Sequence, residues 1–356
     1  PPRSTLFPYT TLFRSQKEDG GGPCYNLFTP NNYPCGCTAT AMAQLIRYHA
    51  YPTIGIGVHS HKYYVGLDML HLDEENGETR GGDGEGGPYD FGQMPLDPSS
   101  SNPEEREMIG SLTWDCSISV NSKFTPGLTS AFPSSVVSAL KVRFLYSNAI
   151  RGYHYNDELM DYGLLEMVNP NLAAGFPTIL SISVFDGEAH SHAHAIVCDG
   201  YGYTPKGGAM YHHLNMGWNG DFNVWYTLPE IDAIWDYNRI YSCIYNIFTW
   251  GGGEILSGRA TDSNGDPISG VTIAAGGKSW VTDSRGMYAL ARITPGTYTV
   301  TASKAGYIFN TWENVVIGTS EDNGAVGNRW DIDFHPIGSK PTVTTGGSTE
   351  ITQSSA

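Results

Sequence analysis

The sequence predicts a mixed α+β domain followed by a separate all-β domain. A stretch of small and apolar residues with helical spacing begins at Cys37 and ends near His49. Two apolar, strand-like runs, 194–201 and 211–216, each lead into a turn that contains glycine. After the triple glycine at 251–253 the pattern changes to short strands separated by turns. Helical and strand patterns that are segregated along a chain in this way indicate the α+β class.

The first segment, residues 1–15, is excluded from the fold prediction. It has neither the charged start nor the continuous apolar centre of a secretory signal. Residues 4–10 are echoed by 11–15, and the segment looks like translated sequencing-adapter sequence. We therefore expect a non-native leader here.

Cys37 opens the predicted helix. Ala41, Leu45 and Tyr48 recur at spacings of four and three, as on one face of a helix. A thiol in the first turn lies at the positive end of the helix dipole, which favours the nucleophilic thiolate. Cys37 is therefore a candidate nucleophile. The alternative is a small buried residue, because free cysteines are often found in cores.

His194 begins the first strand-like run and is the candidate base. The second run contains Asn215 near its end, and we expect the two runs to pair in antiparallel fashion and to place Asn215 beside His194. A cysteine, a histidine that exchanges its proton and an amide that orients the imidazole form a papain-type arrangement. The long separation between Cys37 and His194 permits this arrangement without requiring it.

The stretch 37–44 is followed by Tyr48-His49 and Tyr51-Pro52, and together they resemble the nucleophile motif of the streptopain family of secreted bacterial cysteine peptidases. His194-Ala195 with Asp199-Gly200 resembles the family's histidine motif, and Asn215-Met216-Gly217-Trp218 resembles its Asn-Trp-Gly-Trp motif. The resemblance covers residues 16–250 and implies a papain-like fold, with Cys37 on a helical half and His194 on an antiparallel-sheet half.

The resemblance also implies roles for individual residues. Cys37 would be the nucleophile and His194 the general base and acid. Asn215 would orient the imidazole, with Trp218 packed nearby. The backbone N–H of Cys37 is expected in the oxyanion hole. Gln16 is the candidate for the second donor, although the tryptophan that normally precedes it is missing.

Met216 is a departure from the family pattern, because it stands where the family has its first tryptophan. We expect a thioether there to leave the His194–Asn215 pair wetter and the reaction slower, so Met216→Trp should raise activity. This departure leaves an alternative open, in which the chain is a catalytically weakened relative that acts as a surface-binding or adhesive protein.

The implied function is a secreted endopeptidase that hydrolyses protein or peptide substrates through a thioester acyl-enzyme, without a cofactor. The family normally has a signal peptide and a prodomain, and both are expected to be absent from this chain. A formal charge of −16 argues against nucleic acid and anionic membranes as partners. The sequence has no run of about 18 apolar residues, so we expect no membrane-spanning helix. We expect a monomer.

The other cysteines and histidines leave alternatives. Cys24 and Cys35 could form a disulfide or remain reduced. His190, His192 and His194 alternate along a strand, so they could share a face and hold zinc or copper. We prefer a polar loop before the catalytic strand, with no metal, but a metal-dependent hydrolase remains a rival function.

Residues 251–336 are predicted to form a β-sandwich of about seven strands, because short strands alternate regularly with turns. Their motifs resemble the carboxypeptidase regulatory-like, transthyretin-type accessory domains: Gly265-x-Pro-Ile-x-Gly-Val, Thr282-Asp-x-x-Gly-x-Tyr and Pro295-Gly-x-Tyr-x-Val. No catalytic set is found there, and the expected role is to bind a surface, a protein or a glycan. Residues 337–356, rich in Thr, Ser and Gly, are expected to be a linker or tail.

Overall fold

The computed structural model describes residues 3–4, 15–95, 97–154, 159–204 and 208–338. Helices within these ranges are α1 (Cys37–His49), α2 (Pro103–Ser119), α3 (Ser134–Ser138), which continues as a π-helical turn (Ala139–Arg143), and α4 (Leu164–Ala173). Short 3-10 turns are Pro30–Asn32, Phe91–Gln93, Pro98–Ser100 and Leu159–Tyr162. None of these helices has the length and apolar character needed to cross a membrane.

The strands in the described ranges are numbered in chain order. Those that precede the triple glycine are β1 (Arg3–Ser4), β2 (Ser60–Asp68), β3 (His71–Glu78), β4 (Lys123–Phe124), β5 (Thr129–Ser130), β6 (Asn148–Tyr153), β7 (Thr178–Phe185), β8 (His190–Tyr203), β9 (Met210–Asn215), β10 (Trp225–Tyr226), β11 (Ile231–Asp232), β12 (Asp236–Tyr237) and β13 (Arg239–Phe248). Those that follow it are β14 (Glu254–Arg259), β15 (Thr272–Ala275), β16 (Lys278–Val281), β17 (Met287–Ile293), β18 (Gly296–Ser303), β19 (Ile308–Phe309), β20 (Trp312–Ile317) and β21 (Pro336–Gly338).

The helical part is built around α1. Its residues 38–46 are all buried, because alanines and threonines on this helix let α2 and β8 approach closely. Helix α2 begins with a capping box between Asn102 and Glu105, with Pro103 at its first position. Both helices contribute to one hydrophobic core, which also contains the buried cysteines Cys24, Cys35 and Cys116.

An antiparallel sheet forms the other part, in the order β10-β9-β8-β7-β13-β6. Strands β8 and β9 pair in antiparallel fashion, as predicted, with Val197 opposite Asn215. Strand β1, from the expected leader, pairs with the end of β8. Ser15 of the expected leader is also described, whereas 1–2 and 5–14 lie outside the described residues, as do 339–356 of the expected tail.

The chain after the triple glycine forms a separate all-β region, so the predicted class is confirmed. A four-stranded sheet, β16-β15-β18-β20, and the β14–β17 pair enclose a core of their own. This region nevertheless packs closely on the first domain. Phe248 at the end of β13 shares a small core cluster with Ile255 and Ala289 of the sandwich.

Candidate active site

Cys37 is the first residue of α1 and lies half-buried in a cleft of about 760 Å³. Gly36 caps the helix with φ of 95°, a conformation that favours glycine, and an added Cβ would lie 3.0 Å from Thr129. The chain can therefore turn sharply against Thr129 just before the nucleophile. Backbone N–H groups in the first helical turn have no partner within the helix, so the Cys37 N–H is available to a ligand.

His194 lies on β8 and faces Cys37 across this cleft. Its Nε2 is 2.8 Å from the carbonyl oxygen of Met216. A carbonyl can only accept, so Nε2 carries a proton, and Nδ1 is left to exchange a proton with the thiol. The indole of Trp218 stacks on the imidazole, with ring centroids 4.5 Å apart and planes 18° from parallel.

The thiol of Cys37 is unusually acidic for its location. Burial by itself raises its pKa, but the hydrogen bond and the charge of His194, with smaller contributions from the Ala195 backbone and Thr38, outweigh that effect. The net result is a pKa lowered from 9.0 to about 7. A thiol of this kind is substantially ionised at neutral pH, and the thiolate is the attacking species.

The pKa values of the five remaining cysteines are raised rather than lowered. Burial raises the pKa of Cys24 and of Cys35 to about 12. Burial also raises the pKa of Cys116, Cys198 and Cys243. All of them are free thiols, so the structure contains no Cys24–Cys35 disulfide. Cys37 thus differs from every other cysteine in the chain.

Asn215 requires a correction to the expected geometry. Asn215 pairs with Val197 rather than with His194. Val197 and His194 are three residues apart on β8, a separation of about 10 Å along the strand. Asn215 Oδ1 accepts from Gln44 Nε2 at 3.1 Å and from the Gly217 N–H at 3.0 Å. The partner at His194 Nε2 is instead the Met216 carbonyl, supplied by the turn that follows β9.

Met216 differs from expectation, whereas Trp218 lies beside His194 as expected. The Met216 side chain is 1% exposed and belongs to the core beneath the sheet. The indole that covers the histidine comes from Trp218, which itself lines the cleft. The thioether therefore fills a core position, and the expected exposure of the histidine to water does not follow from it.

Gln16 lies in the same cleft as Cys37, His194 and Trp218. Its backbone carbonyl accepts from the Cys35 N–H at 2.9 Å, which ties it to the residues just before α1. One wall of the cleft comes from 127–131, and the other from 192–195, 217–219, 234–235 and 237. Both walls carry exposed apolar side chains, with Leu128 57% and Ile234 56% exposed.

The three alternating histidines have separate partners. His190 Nδ1 lies 2.7 Å from Ser183 Oγ, and His192 stacks on Trp235. A bulge between β7 and β8, with φ of 52° at His192, breaks the alternation that would place the rings on one face. Within the described ranges, no cluster of three or more histidine, cysteine or acidic side chains is arranged to hold a metal ion.

Two groups in this site were missed by sequence reasoning. The Met216 carbonyl is a backbone atom, so no residue type signals it. Gln44 was signalled by spacing, because it lies seven residues after Cys37 and therefore on the same face of the helix. It is buried and donates to Asn215.

Two family models match the chain. The peptidase C10 family model matches residues 20–226, and the model of the carboxypeptidase regulatory-like domain matches residues 255–325. Cys37, His194, Asn215 and Trp218 all lie in the first match.

Named relatives are similar over part of their length. The chain is 31% identical over 191 residues to the thiol protease/hemagglutinin PrtT of Porphyromonas gingivalis, covering 53% of this chain and 20% of that protein. It is 24% identical over 233 residues to streptopain of Streptococcus pyogenes, covering 60% of this chain and 53% of streptopain. The chain thus spans about half, or less, of these relatives.

Among solved structures, the active wild-type interpain A cysteine protease of Prevotella intermedia matches with a TM-score of 0.54 and 21% identity. The match covers 68% of this chain and 93% of that one. At this identity the likeness concerns the fold. The papain-like fold predicted for the first domain is confirmed.

Proposed function

The chain belongs to the peptidase C10 family, and from that premise we propose that it is a secreted cysteine endopeptidase with Cys37 as its nucleophile. One observation carries the proposal: a single acidic thiol at a helix start, in contact with a histidine, in an open cleft. In the same chain, burial raises the pKa values of the other five thiols. A thiolate–imidazolium pair is the arrangement that acyl transfer by cysteine needs.

In the proposed acylation step, the Cys37 thiolate attacks the carbonyl carbon of the scissile peptide bond. The C=O π electrons move to oxygen, where the Cys37 N–H and the Gln16 side-chain amide stabilise the negative charge. The C–N bond then breaks, and the leaving nitrogen takes the proton from His194 Nδ1. A thioester and a free amine result.

In the proposed deacylation step, His194 Nδ1 takes a proton from water as the water oxygen attacks the thioester. The C–S bond breaks, the carboxylic acid leaves, and the thiolate–imidazolium pair is restored. Throughout both steps the Met216 carbonyl accepts from Nε2–H, so the ring keeps its orientation while Nδ1 gains and loses the proton.

The cleft supports a polypeptide substrate. A volume of about 760 Å³ is at the upper end of the ~300–1,000 Å³ range of ligand sites, enough for several residues of extended chain. Apolar side chains on both walls would contact apolar substrate residues.

Every residue invoked in the proposed reaction comes from one chain, so a monomer suffices. Contact of the β-sandwich with a surface, a protein or a glycan would be sought at exposed Trp280 and Trp312.

The decisive experiment treats the protein with an epoxysuccinyl inhibitor of cysteine peptidases and locates the adduct by mass spectrometry. We expect one adduct, on Cys37, with loss of casein cleavage in proportion to labelling. Cys37→Ala should remove both the adduct and the activity, whereas Cys24→Ser serves as the matched control and should retain both.

Other outcomes would contradict the proposal. Labelling of a different cysteine with Cys37 unmodified would overturn the assignment of the nucleophile. Loss of activity with a chelator, but not with thiol alkylation, would favour the metal-dependent alternative. A folded protein that is labelled at Cys37 yet cleaves neither casein nor short peptides would support the adhesive alternative.

A further inference from the structure

We propose that Gln44 is a positioning residue for catalysis: through Asn215 it fixes the turn of residues 215–218, which holds the imidazole of His194. The inference deepens the proposed function and rests on it. Gln44 is not a cleft-lining residue, and its hydrogen bond to Asn215 connects it to the turn.

Helix α1 is the element that relates the nucleophile to the turn. Cys37, Thr40 and Gln44 are spaced by three and four residues, so they lie on one face of the helix. Gly217, with φ of 67°, packs so closely on this face that an added Cβ would lie 3.2 Å from Thr40 Cγ2. The helix that positions the thiol therefore also contacts the turn at two places, at Thr40 and one helical turn later at Gln44.

Asn215 is the junction between helix and turn. Its Oδ1 accepts from Gln44 Nε2 at 3.1 Å and from the Gly217 N–H at 3.0 Å. Gln44 is 4% exposed and Asn215 is 1% exposed, so water does not compete for these bonds. From the opposite side, the Met216 N–H donates to Asn223 Oδ1 at 2.8 Å. The turn of residues 215–218 is therefore held from one side by α1 and from the other by the loop that contains Asn223.

Both contacts that orient the histidine come from this turn. The Met216 carbonyl accepts from Nε2–H, and the Trp218 indole stacks on the ring. A shift of the turn would move these two groups together and change the distance and angle between His194 Nδ1 and the thiol. Reactions of this kind are sensitive to such shifts, because a displacement of about 1 Å can cost on the order of 100-fold in rate.

The test compares Gln44→Met, which keeps the volume but removes the donor, with Gln44→Glu. We expect Gln44→Met to lower kcat by on the order of 10- to 100-fold, with little change in KM. Its Cys37 alkylation rate should reach half-maximum at a higher pH than in the wild type. Relative to the wild type at the same pH, Gln44→Glu should lose less activity at pH 6 than at pH 8, because the protonated carboxyl can donate to Asn215 and the carboxylate cannot.

The matched control is Ile46→Ala, a buried change on the same helix in the core cluster of the helical part, whereas Met216 and Trp218 belong to the other core cluster. It should lower the melting temperature at least as much as Gln44→Met, yet keep kcat and the alkylation profile of the wild type. If folded Gln44→Met keeps both values, or if Ile46→Ala loses both in parallel, Gln44 is only structural and the inference is wrong.

The alkylation profile also separates this inference from the proposed function. It needs no substrate, so it reports on the Cys37–His194 pair even if the wild type cleaves no tested peptide. A wild type whose Cys37 is not acidic would contradict the proposed function. A wild type with an acidic Cys37 and an unchanged profile in Gln44→Met would contradict the positioning role alone.

Discussion

The indole of Trp218 lies parallel to the imidazole of His194, with the ring centroids 4.5 Å apart. An imidazolium over the face of an indole is stabilised by the negative charge density of the ring. The protonated histidine that accompanies the Cys37 thiolate is therefore favoured by its neighbour. Trp218 also limits the access of water to one face of the histidine.

We predict that Trp218→Ala lowers kcat/KM by about tenfold, equivalent to about 1.4 kcal/mol, because both the stacking and the shielding are lost. Trp218→Phe keeps an aromatic face and should lose less. The measurement is kcat/KM on a short fluorogenic peptide. Trp280→Ala, an exposed change on the sandwich, is the control and should retain full activity. Equal losses in Trp218→Ala and Trp280→Ala would contradict the role given to Trp218.

The ionisation of Cys37 gives a second prediction, on pH dependence. Folding lowers the pKa of this thiol from 9.0 to about 7. Its alkylation by iodoacetamide should thus rise with a midpoint near pH 7 in the folded protein and near pH 9 in the unfolded chain. The stability that ionisation adds is fully present above the unfolded pKa and is lost as the pH falls through the folded pKa.

The readout for this prediction is the site of modification at each pH, determined by mass spectrometry. The five buried cysteines are internal controls, because burial raises their pKa values and removes them from solvent. A folded protein in which Cys24 or Cys35 reacts before Cys37 would show that the acidic thiol has been misassigned.

The helix that carries the nucleophile could be predicted from sequence, but the local geometry around the histidine could not. The pattern from Cys37 to His49 has helical spacing and small residues throughout, and α1 has these bounds. Strand alternation allowed the three histidines to share a face, and a polar loop before the catalytic strand was the preferred prediction. In the structure all three lie on β8, and a bulge at His192 breaks the alternation. A bulge shifts the register by one residue and leaves no clear signal in residue types.

The contact between the two domains was also beyond prediction. Asn246, Glu254 and Asn328 are polar, and in a sequence such residues suggest a solvated surface. In the structure all three are at most 4% exposed and hydrogen-bonded to one another across the domain boundary. A residue's type indicates only how often it is exposed on average. Here the three polar side chains are buried because they find hydrogen-bond partners that are distant in the sequence.

Met216 gives a third prediction, which reverses the expectation from sequence. Because its side chain is 1% exposed within a packed core, a larger indole has to displace its neighbours. We expect Met216→Trp to lower the free energy of unfolding by about 1–3 kcal/mol and not to raise kcat/KM. Met216→Leu, which keeps the volume, should cost less than about 1.5 kcal/mol. Chemical denaturation and peptide kinetics on both variants provide the comparison. A stable Met216→Trp with raised activity would restore the shielding hypothesis.

The last prediction concerns the β-sandwich. Sequence alone suggests that deletion of 254–356 leaves hydrolysis of small peptides intact, since no proposed catalytic residue lies there. Asn328 argues otherwise, because this sandwich residue bonds Asn246 of β13, the Glu166 carbonyl of α4 and the Ile255 N–H of β14. Removal of the sandwich would expose Phe248 and leave buried polar groups without partners. We expect the truncated protein to be much less stable, and the intact chain to unfold in one transition.

A point variant tests this more cleanly than the deletion. Asn328→Ala should lower the free energy of unfolding by about 1–3 kcal/mol, because it leaves buried donors and acceptors unpaired. In the folded fraction kcat/KM should be unchanged, since Cys37 and His194 are held by α1 and the 215–218 turn. Asn264→Ala, in an exposed sandwich turn, is the matched control and should change neither quantity. Two separate unfolding transitions, with the peptidase transition unaffected by Asn328→Ala, would show that the domains are independent and that the buried contact does not stabilise the enzyme.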